Sequence, residues 1–139
     1  SNTLQQCIFF LDDLEFIPLH TSNDVVQHTS NDDGDRATPY QSALGTKTFE
    51  RSEFSTGMMV LPPNSCKNME RTCSYEILFI CNAEHGKLRI HLNTVPSWVC
   101  AGDTCVIPPN SIYGVRNDSN TVEVRIFFVL VPCMELRPP

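Results

Sequence analysis

Short apolar runs separated by turn-forming residues occupy most of this chain. From Lys47 onward, Pro-Pro, Ala-Gly-Asp, Pro-Pro-Asn and Asn-Asp-Ser-Asn sequences interrupt the apolar stretches, and no helical periodicity competes with them. Residues 88–92 alternate apolar and polar side chains, as a half-buried strand does. The pattern predicts an all-β sandwich or jelly-roll barrel of seven or more short strands. The other predicted strands are residues 56–61, 75–81, 97–101, 104–107, 112–116 and 122–131.

Three of these strands are apolar on both faces. In residues 122–131 the even positions share one apolar face, and the opposite face begins polar and ends apolar. Residues 58–61 and 77–80 are likewise apolar throughout. A two-layer barrel has one interior, so something must cover the outer face: the N-terminal apolar segment, a second subunit, or both. The predicted homodimer interface consists of Met58, Val60, Ile77, Phe79, Phe127, Val129 and Val131.

The first 45 residues are expected to form an irregular extension, and residues 46–139 the barrel domain. Apolar residues cluster between residues 7 and 19, but their spacing does not decide between helix and strand. This segment could also cross to a partner chain. Residues 20–45 are rich in Ser, Asn, Asp, Thr and Gly, which predicts a flexible linker. The candidate partner-docking residues are Phe9, Phe10, Leu14 and Phe16.

Composition argues against several classes of function. The net charge is -6, and the 10 basic residues form no run, whereas contact with DNA phosphates needs clustered Lys and Arg. We therefore expect no direct DNA binding from this domain. The 7 cysteines show no zinc-ligand spacing, which favours reduced thiols in an intracellular compartment. No apolar run approaches the roughly 18 residues needed to cross a bilayer, so no membrane association is expected.

Residues 102–117 resemble the second sequence motif of the cupin β-barrels. Gly102, Pro108 and Asn117 stand at positions of that pattern, and Tyr113 stands where a metal-dependent cupin has its last histidine ligand. The scaffold of the motif is therefore retained without its ligand.

The first cupin motif is also incomplete. Glu76 occupies the position of its glutamate, but residues 68–74, where two histidines belong, contain none. One carboxylate does not hold a divalent transition metal, so no metal and no cofactor are expected. His85 and His91 are interpreted as surface residues. Because the sequence also lacks a nucleophile elbow and a phosphate-binding loop, we predict no catalytic residue and no enzymatic activity.

Several sequence blocks together carry a more specific resemblance. They begin with Ser55-Thr56-Gly57, continue through residues 76–80 and 101–117, and end with Phe127-Phe128. In their order and spacing they resemble the C-terminal cupin (dimerisation) domain of the centromere protein C (CENP-C) family, over about residues 46–131. Residues 82–85 lengthen one turn relative to the family pattern, and the 109–110 turn also departs from it.

The resemblance implies a non-enzymatic homodimerisation and protein-docking module of a centromere and kinetochore scaffold in the nucleus. Such a module supports kinetochore assembly and chromosome segregation, recruits factors that load the centromeric histone, and contacts centromeric chromatin indirectly through the full-length chain. Two other classes remain open. A small-molecule-binding or metal-independent enzymatic cupin would use Glu76, Tyr113 and Asn117 inside an open barrel. A transcription-factor sensor would need a helix-turn-helix elsewhere.

Overall fold

The computed structural model describes residues 7–20 and 40–133. Within these residues the only helical element is the 3-10 turn Leu11–Asp13. No helix in this part of the chain is long and apolar enough to cross a membrane. Strands make up the rest of the regular structure. In chain order they are β1 (Ile17–Pro18), β2 (Gln41–Ser42), β3 (Leu44–Glu50), β4 (Ser55–Leu61), β5 (Ser65–Arg71), β6 (Ser74–Asn82), β7 (Leu88–Leu92), β8 (Val95–Val99), β9 (Thr104–Ile107), β10 (Ile112–Asn117) and β11 (Val124–Pro132).

These strands form two sheets that enclose one core. The first sheet has the order β1-β3-β4-β11-β6-β9 and the second the order β2-β5-β10-β7-β8. The chain crosses between the sheets several times, as in a jelly roll, and only the β2–β5 pair is parallel among the strand pairs of the described residues. The all-β prediction is therefore confirmed. The largest apolar side chains that are fully buried in the core are Leu61, Leu78, Leu88, Ile107, Val115, Val124 and Ile126.

The register of β11 explains its two apolar faces. Ile126 lies opposite Met59 on β4 and Ile80 on β6, and all three are buried in the core. Because successive side chains of a strand point to opposite faces, Phe127 lies on the outside of the sheet. The sequence pattern therefore predicted the inward and outward sides of this strand correctly.

Two predicted strand boundaries shift at turns. The strand expected at residues 97–101 is Val95–Val99, because the chain turns at Gly102, whose φ of 93° favours glycine. The strand expected at residues 122–131 begins at Val124, because the N–H groups of Thr121 and Val122 both donate to Ser119 Oγ in a turn.

Two regions differ more substantially from the sequence-based expectations. Residues 65–71 form β5, which was not anticipated because charged side chains conceal its alternation. Residues 40–45 do not behave as a linker: they contribute β2 and the start of β3, and Ala43 is fully buried. The sheets thus begin before residue 46. The rest of the expected linker, residues 21–39, lies outside the described residues.

Residues 7–20, which we term the N-terminal strap, connect the two sheets. Ile17 pairs with Gly45 of β3, and the N–H of Leu19 donates to the carbonyl of Ala43 at 2.9 Å. At the end of the strap, His20 Nε2 accepts the N–H of Asn68 on β5 at 3.0 Å. The strap therefore contains both a short helical turn and a short strand, where the sequence left the choice open.

Candidate functional site

Three polar side chains from different strands meet inside the barrel. The hydroxyl of Tyr113 on β10 donates to Glu76 Oε1 on β6 at 2.5 Å. Lys67 Nζ on β5 lies 4.2 Å from the centroid of the Tyr113 ring and 3.4 Å from Glu70 Oε1. We term Lys67, Glu76 and Tyr113 the interior cluster. The cluster brings together two positions that the sequence selected and one, Lys67, that it missed.

Burial governs the protonation of this cluster. Tyr113 is 1% exposed, and desolvation followed by the charge of Glu76 raises the pKa of its phenol well above the ordinary value. The phenol therefore stays protonated and donates to the carboxylate. Burial lowers the pKa of Lys67, although the carboxylates of Glu70 and Glu76 oppose that shift.

A cavity of about 470 Å³ opens beside the interior cluster. Its apolar wall comes from the barrel through Met59, Phe128 and Leu130 and from the strap through Ile17 and Leu19. We term it the barrel cavity. The remaining lining residues are Glu15, Gly45, Thr46, Lys47 and the three members of the interior cluster.

Asn117 does not line the barrel cavity. Its side chain is fully buried, and Nδ2 donates to the carbonyls of Leu61, Pro62 and Val122 at 2.9–3.1 Å. The amide therefore ties the end of β10 to two neighbouring chain segments. The sequence offers Asn117 as a polar group inside an open barrel. In the structure its side chain is surrounded by backbone carbonyls, so it holds strands together instead of facing the barrel cavity.

The other motif positions also lie in turns or in the scaffold. Gly102 provides the positive φ of the β8–β9 turn. The carbonyl of Pro108 accepts a hydrogen bond from Thr72 Oγ1 at 2.9 Å. Both residues therefore shape the chain at a distance from the interior cluster.

In the described ranges 7–20 and 40–133, no three His, Cys, Asp or Glu side chains are grouped closely enough to hold a metal ion. The residues at the ligand positions of the two motifs, Glu76 in the first and Tyr113 in the second, are instead joined as a carboxylate–phenol pair. The buried thiol of Cys66 has its pKa raised to about 11 by desolvation, which makes it a weak nucleophile at neutral pH.

The outer face of the first sheet forms a second candidate site. Phe127 pairs with Phe79 across β11 and β6, with ring centroids 5.9 Å apart, and Ile77 lies between Val129 and Val106. Phe79 is 38% exposed and Val106 is 55% exposed. We term the following set the outer apolar face: Met58, Val60, Tyr75, Ile77, Phe79, Val106, Phe127, Val129 and Val131.

Tyr75 and Val106 were not selected from the sequence. Tyr75 lies on the same face of its strand as Ile77 and Phe79, because the three occupy alternate positions. Following that alternation two residues further toward the N-terminus would have identified it. Val106 lies on a short strand whose neighbour could not be assigned without the sheet order.

The strap covers only one side of the outer apolar face. Phe9, Leu11 and Leu14 border a cavity of about 520 Å³ together with Met58 and Phe127. The Phe9 ring also packs edge-on against Phe49 of β3, with centroids 6.3 Å apart. Of the four candidate docking residues, Phe9, Leu14 and Phe16 are half-buried and Phe10 is exposed. No residue of the described ranges 7–20 and 40–133 covers the side formed by β6, β9 and the end of β11, which we term the open side.

The structure resembles solved cupins of low sequence identity. The Schizosaccharomyces pombe Cnp3 cupin domain aligns with a TM-score of 0.60 at 14% identity over 70% of this chain and 66% of that chain. An RmlC-like cupin from Shewanella frigidimarina aligns with a TM-score of 0.66 at 9% identity over 94% and 95%. A predicted oxalate decarboxylase from Thermotoga maritima aligns with a TM-score of 0.59 at 18% identity over 81% and 97%. These likenesses confirm the cupin fold.

A family model identifies the chain more closely than the fold does. No curated protein matches this chain. The model described as Mif2/CENP-C like matches residues 45–130, nearly the same span as the resemblance noted in the sequence. The chain therefore belongs to the Mif2/CENP-C-like family.

Proposed function

We propose that this chain is a non-enzymatic homodimerisation and protein-docking module of a centromere and kinetochore scaffold. Membership of the Mif2/CENP-C-like family supports a centromere protein, and therefore a nuclear location at the centromere. The observation that carries the proposal is the open side of the outer apolar face, where Tyr75, Phe79 and Val106 are exposed side by side with the half-buried Ile77 and Val129.

Burial of this surface against a second copy is physically favourable. Each Val, Ile or Phe side chain transferred from water contributes about 1.5–3 kcal/mol when fully buried. A two-fold axis would present the same patch to itself, so one set of residues serves both chains. The half-buried residues contribute less, and association costs subtract from the sum. The proposed interface centres on Ile77, Phe79, Val129 and Val131, with Tyr75, Val106 and Phe127 beside them. Met58, which borders the strap, and Val60, which is only 8% exposed, lie at its margin.

The strap provides the proposed docking surface for a centromere-assembly or histone-loading protein. Ile8, Phe10 and Ile17 are each more than half exposed although they belong to an ordered, apolar segment. Apolar side chains held in place on a sheet edge fit an amphipathic partner segment. This proposal retains Phe9, Phe10, Leu14 and Phe16 as the surrounding residues.

Contact with centromeric chromatin is proposed to run through the rest of the full-length chain. Four basic residues are already in ion pairs, Lys47 with Glu50, Lys67 with Glu70, Arg116 with Asp118 and Arg125 with Glu123. They are poorly suited to releasing counterions from DNA phosphates. Dimerisation would instead raise the effective concentration of paired chromatin-binding arms.

The test compares two valines of similar exposure on the edge strands of different sheets. Val106 on β9 is 55% exposed and lies on the outer apolar face, whereas Val95 on β8 is 59% exposed and belongs to the second sheet. We expect the parent domain to be a dimer at micromolar concentration by light scattering. Val106→Glu should weaken dimerisation at least about tenfold because a charge would be buried, and Val95→Glu should leave it unchanged.

Phe127→Glu and Val129→Glu, checked for folding by circular dichroism, extend the test to β11. A monomeric parent at tens of micromolar would contradict the proposal. So would equal dimerisation of the folded Val106→Glu and Val95→Glu variants.

A further inference from the structure

The barrel cavity is not part of the proposed dimer interface, and it shares only Ile17 with the exposed residues of the proposed docking surface. Its volume of about 470 Å³ lies within the usual range for small-molecule sites, about 300–1,000 Å³. We propose that the barrel cavity binds a small, neutral, predominantly apolar molecule that carries one hydrogen-bond acceptor such as a hydroxyl or carbonyl oxygen. This inference goes beyond the proposed scaffold function and does not depend on it.

The walls of the cavity select for an apolar body. Met59, Phe128 and Leu130 line it from the first sheet, and Ile17 and Leu19 line it from the strap. An apolar molecule that entered would remove these side chains and its own surface from water, which is favourable in proportion to the apolar area buried. A polar molecule would gain few hydrogen bonds along these walls.

The charges around the cavity argue for a neutral ligand. Lys67 is paired with Glu70 and also feels the charge of Glu76, and Lys47 is paired with Glu50. Glu15 also lines the cavity, but it is exposed, so solvent screens its charge. A carboxylate or ammonium ligand would lose its hydration without meeting an uncompensated opposite charge in the buried part of the cavity.

Lys67 supplies the reason for an acceptor on the ligand. Its ammonium has three N–H donors, and two contact Asn68 O at 3.3 Å and Glu70 Oε1 at 3.4 Å. The ammonium also lies 4.2 Å from the centroid of the Tyr113 ring, whose face is a weaker partner than an oxygen, and Lys67 lines the adjoining cavity. A hydroxyl or carbonyl oxygen placed there would give the third N–H a stronger acceptor than the ring.

The test uses three probes with the same eight-carbon tail: 1-octanol, octanoate and octylammonium. Each is titrated at pH 7 into the parent domain labelled with ¹³C at its methionine methyl groups. Met59 lines the barrel cavity, whereas its neighbour Met58 lies on the outer apolar face and serves as an internal control. We expect 1-octanol to shift the Met59 signal saturably and to bind at least about tenfold more tightly than either charged probe.

Two variants locate the binding. Leu130→Trp places a large side chain in the cavity and should abolish the Met59 shift, whereas Val95→Trp adds the same side chain on exposed β8 and should not. Lys67→Met removes the proposed donor and should weaken 1-octanol binding about tenfold to a hundredfold, the value of one hydrogen bond to a charged group.

The ranking of the three probes is measured on the parent domain and does not require any variant to fold. Stronger binding of octanoate or octylammonium than of 1-octanol would overturn the proposal. A shift of Met58 without Met59, or no saturable shift with any probe, would overturn it as well.

Discussion

Replacing Asn117 should reveal how strongly one buried amide holds the scaffold together. Nδ2 donates to the carbonyls of Leu61, Pro62 and Val122, and Oδ1 accepts the N–H of Ser119 at 3.0 Å. Asn117→Ala removes these hydrogen bonds and leaves their partners without the amide. The two N–H groups of Nδ2 are shared among the three carbonyls, so together with the bond accepted by Oδ1 the amide makes three hydrogen bonds. With about 1–1.5 kcal/mol for each of them, the expected loss of unfolding free energy is about 3–4.5 kcal/mol. That loss is a large part of the 5–15 kcal/mol typical of a domain.

Asn117→Asp should be more damaging at pH 7 than Asn117→Ala, although it changes fewer atoms. An aspartate keeps the acceptor for Ser119 but points a second oxygen at three carbonyl oxygens in a fully buried position. Because burial disfavours the charged form, the folded-state pKa of this aspartate is expected to rise above its unfolded value of about 3.9. The penalty is then absent below the unfolded pKa and grows as pH rises.

Urea unfolding followed by circular dichroism at pH 5 and pH 7 measures both effects. Asn120, exposed three residues away, provides the control, and Asn120→Asp should change stability by less than about 0.5 kcal/mol. The reasoning is wrong if Asn117→Asp lies within about 1 kcal/mol of the parent at pH 7. It is also wrong if Asn117→Asp does not gain stability relative to Asn117→Ala at pH 5.

Two further predictions concern packing and pH. Gly57→Ala should destabilise the domain by about 1–3 kcal/mol or more in thermal unfolding, because an added Cβ would collide with the ring of Phe128 and the carbonyl of Thr46. Tyr113→Phe should lose about 1–3 kcal/mol at pH 7 by leaving Glu76 without its donor. The folded-state pKa of Tyr113 is raised, so the stability it contributes is present below the unfolded pKa of about 10 and is lost as pH rises towards the folded pKa. Raising the pH from 9 to 11 should therefore lower the unfolding free energy of the parent more than that of the phenylalanine variant. Equal slopes of unfolding free energy against pH would contradict the assignment.

The strands that the sequence predicted best either alternate in polarity or lie between clear turn sequences. Residues 88–92 form β7 with the expected bounds, because apolar alternation has the period of a strand. Residues 104–107 form β9 with the expected bounds between the Ala-Gly-Asp and Pro-Pro-Asn sequences. For β11 the inward and outward faces were both predicted correctly, because its even positions are apolar throughout and its odd positions begin with charged side chains. Local pattern was sufficient for these elements.

β5 was not predicted because its inward position is occupied by a lysine. Lys67 is buried in a contact with the Tyr113 ring, which comes from a strand more than forty residues away. Without that partner, residues 65–71 show no apolar alternation. Lys67 was missed as a site residue for the same reason. The sequence motif asks for histidine ligands near this stretch, and nothing in the local sequence indicates that a lysine lies inside the barrel.

The motif positions were predicted by type, but their roles depend on tertiary contacts. Glu76 and Tyr113 were selected as separate positions, and only the packing of the two sheets, which brings β6 and β10 to face each other across the barrel, shows that they bind one another. Asn117 was selected as well, but its environment is three carbonyls from two other chain segments. Backbone groups of distant segments leave no signature in the sequence near residue 117.

The interior cluster accounts for polar side chains in a barrel for which we propose no reaction. A carboxylate buried alone would be costly, and Glu76 is stabilised by the Tyr113 hydroxyl, while Lys67 packs on the same ring and pairs with Glu70. These contacts connect β6 of the first sheet with β5 and β10 of the second, so removal of any member would affect both layers. The cluster thus works as a polar cross-link within the scaffold. The open side of the outer apolar face, which is proposed for dimerisation, can then vary without disturbing the interior.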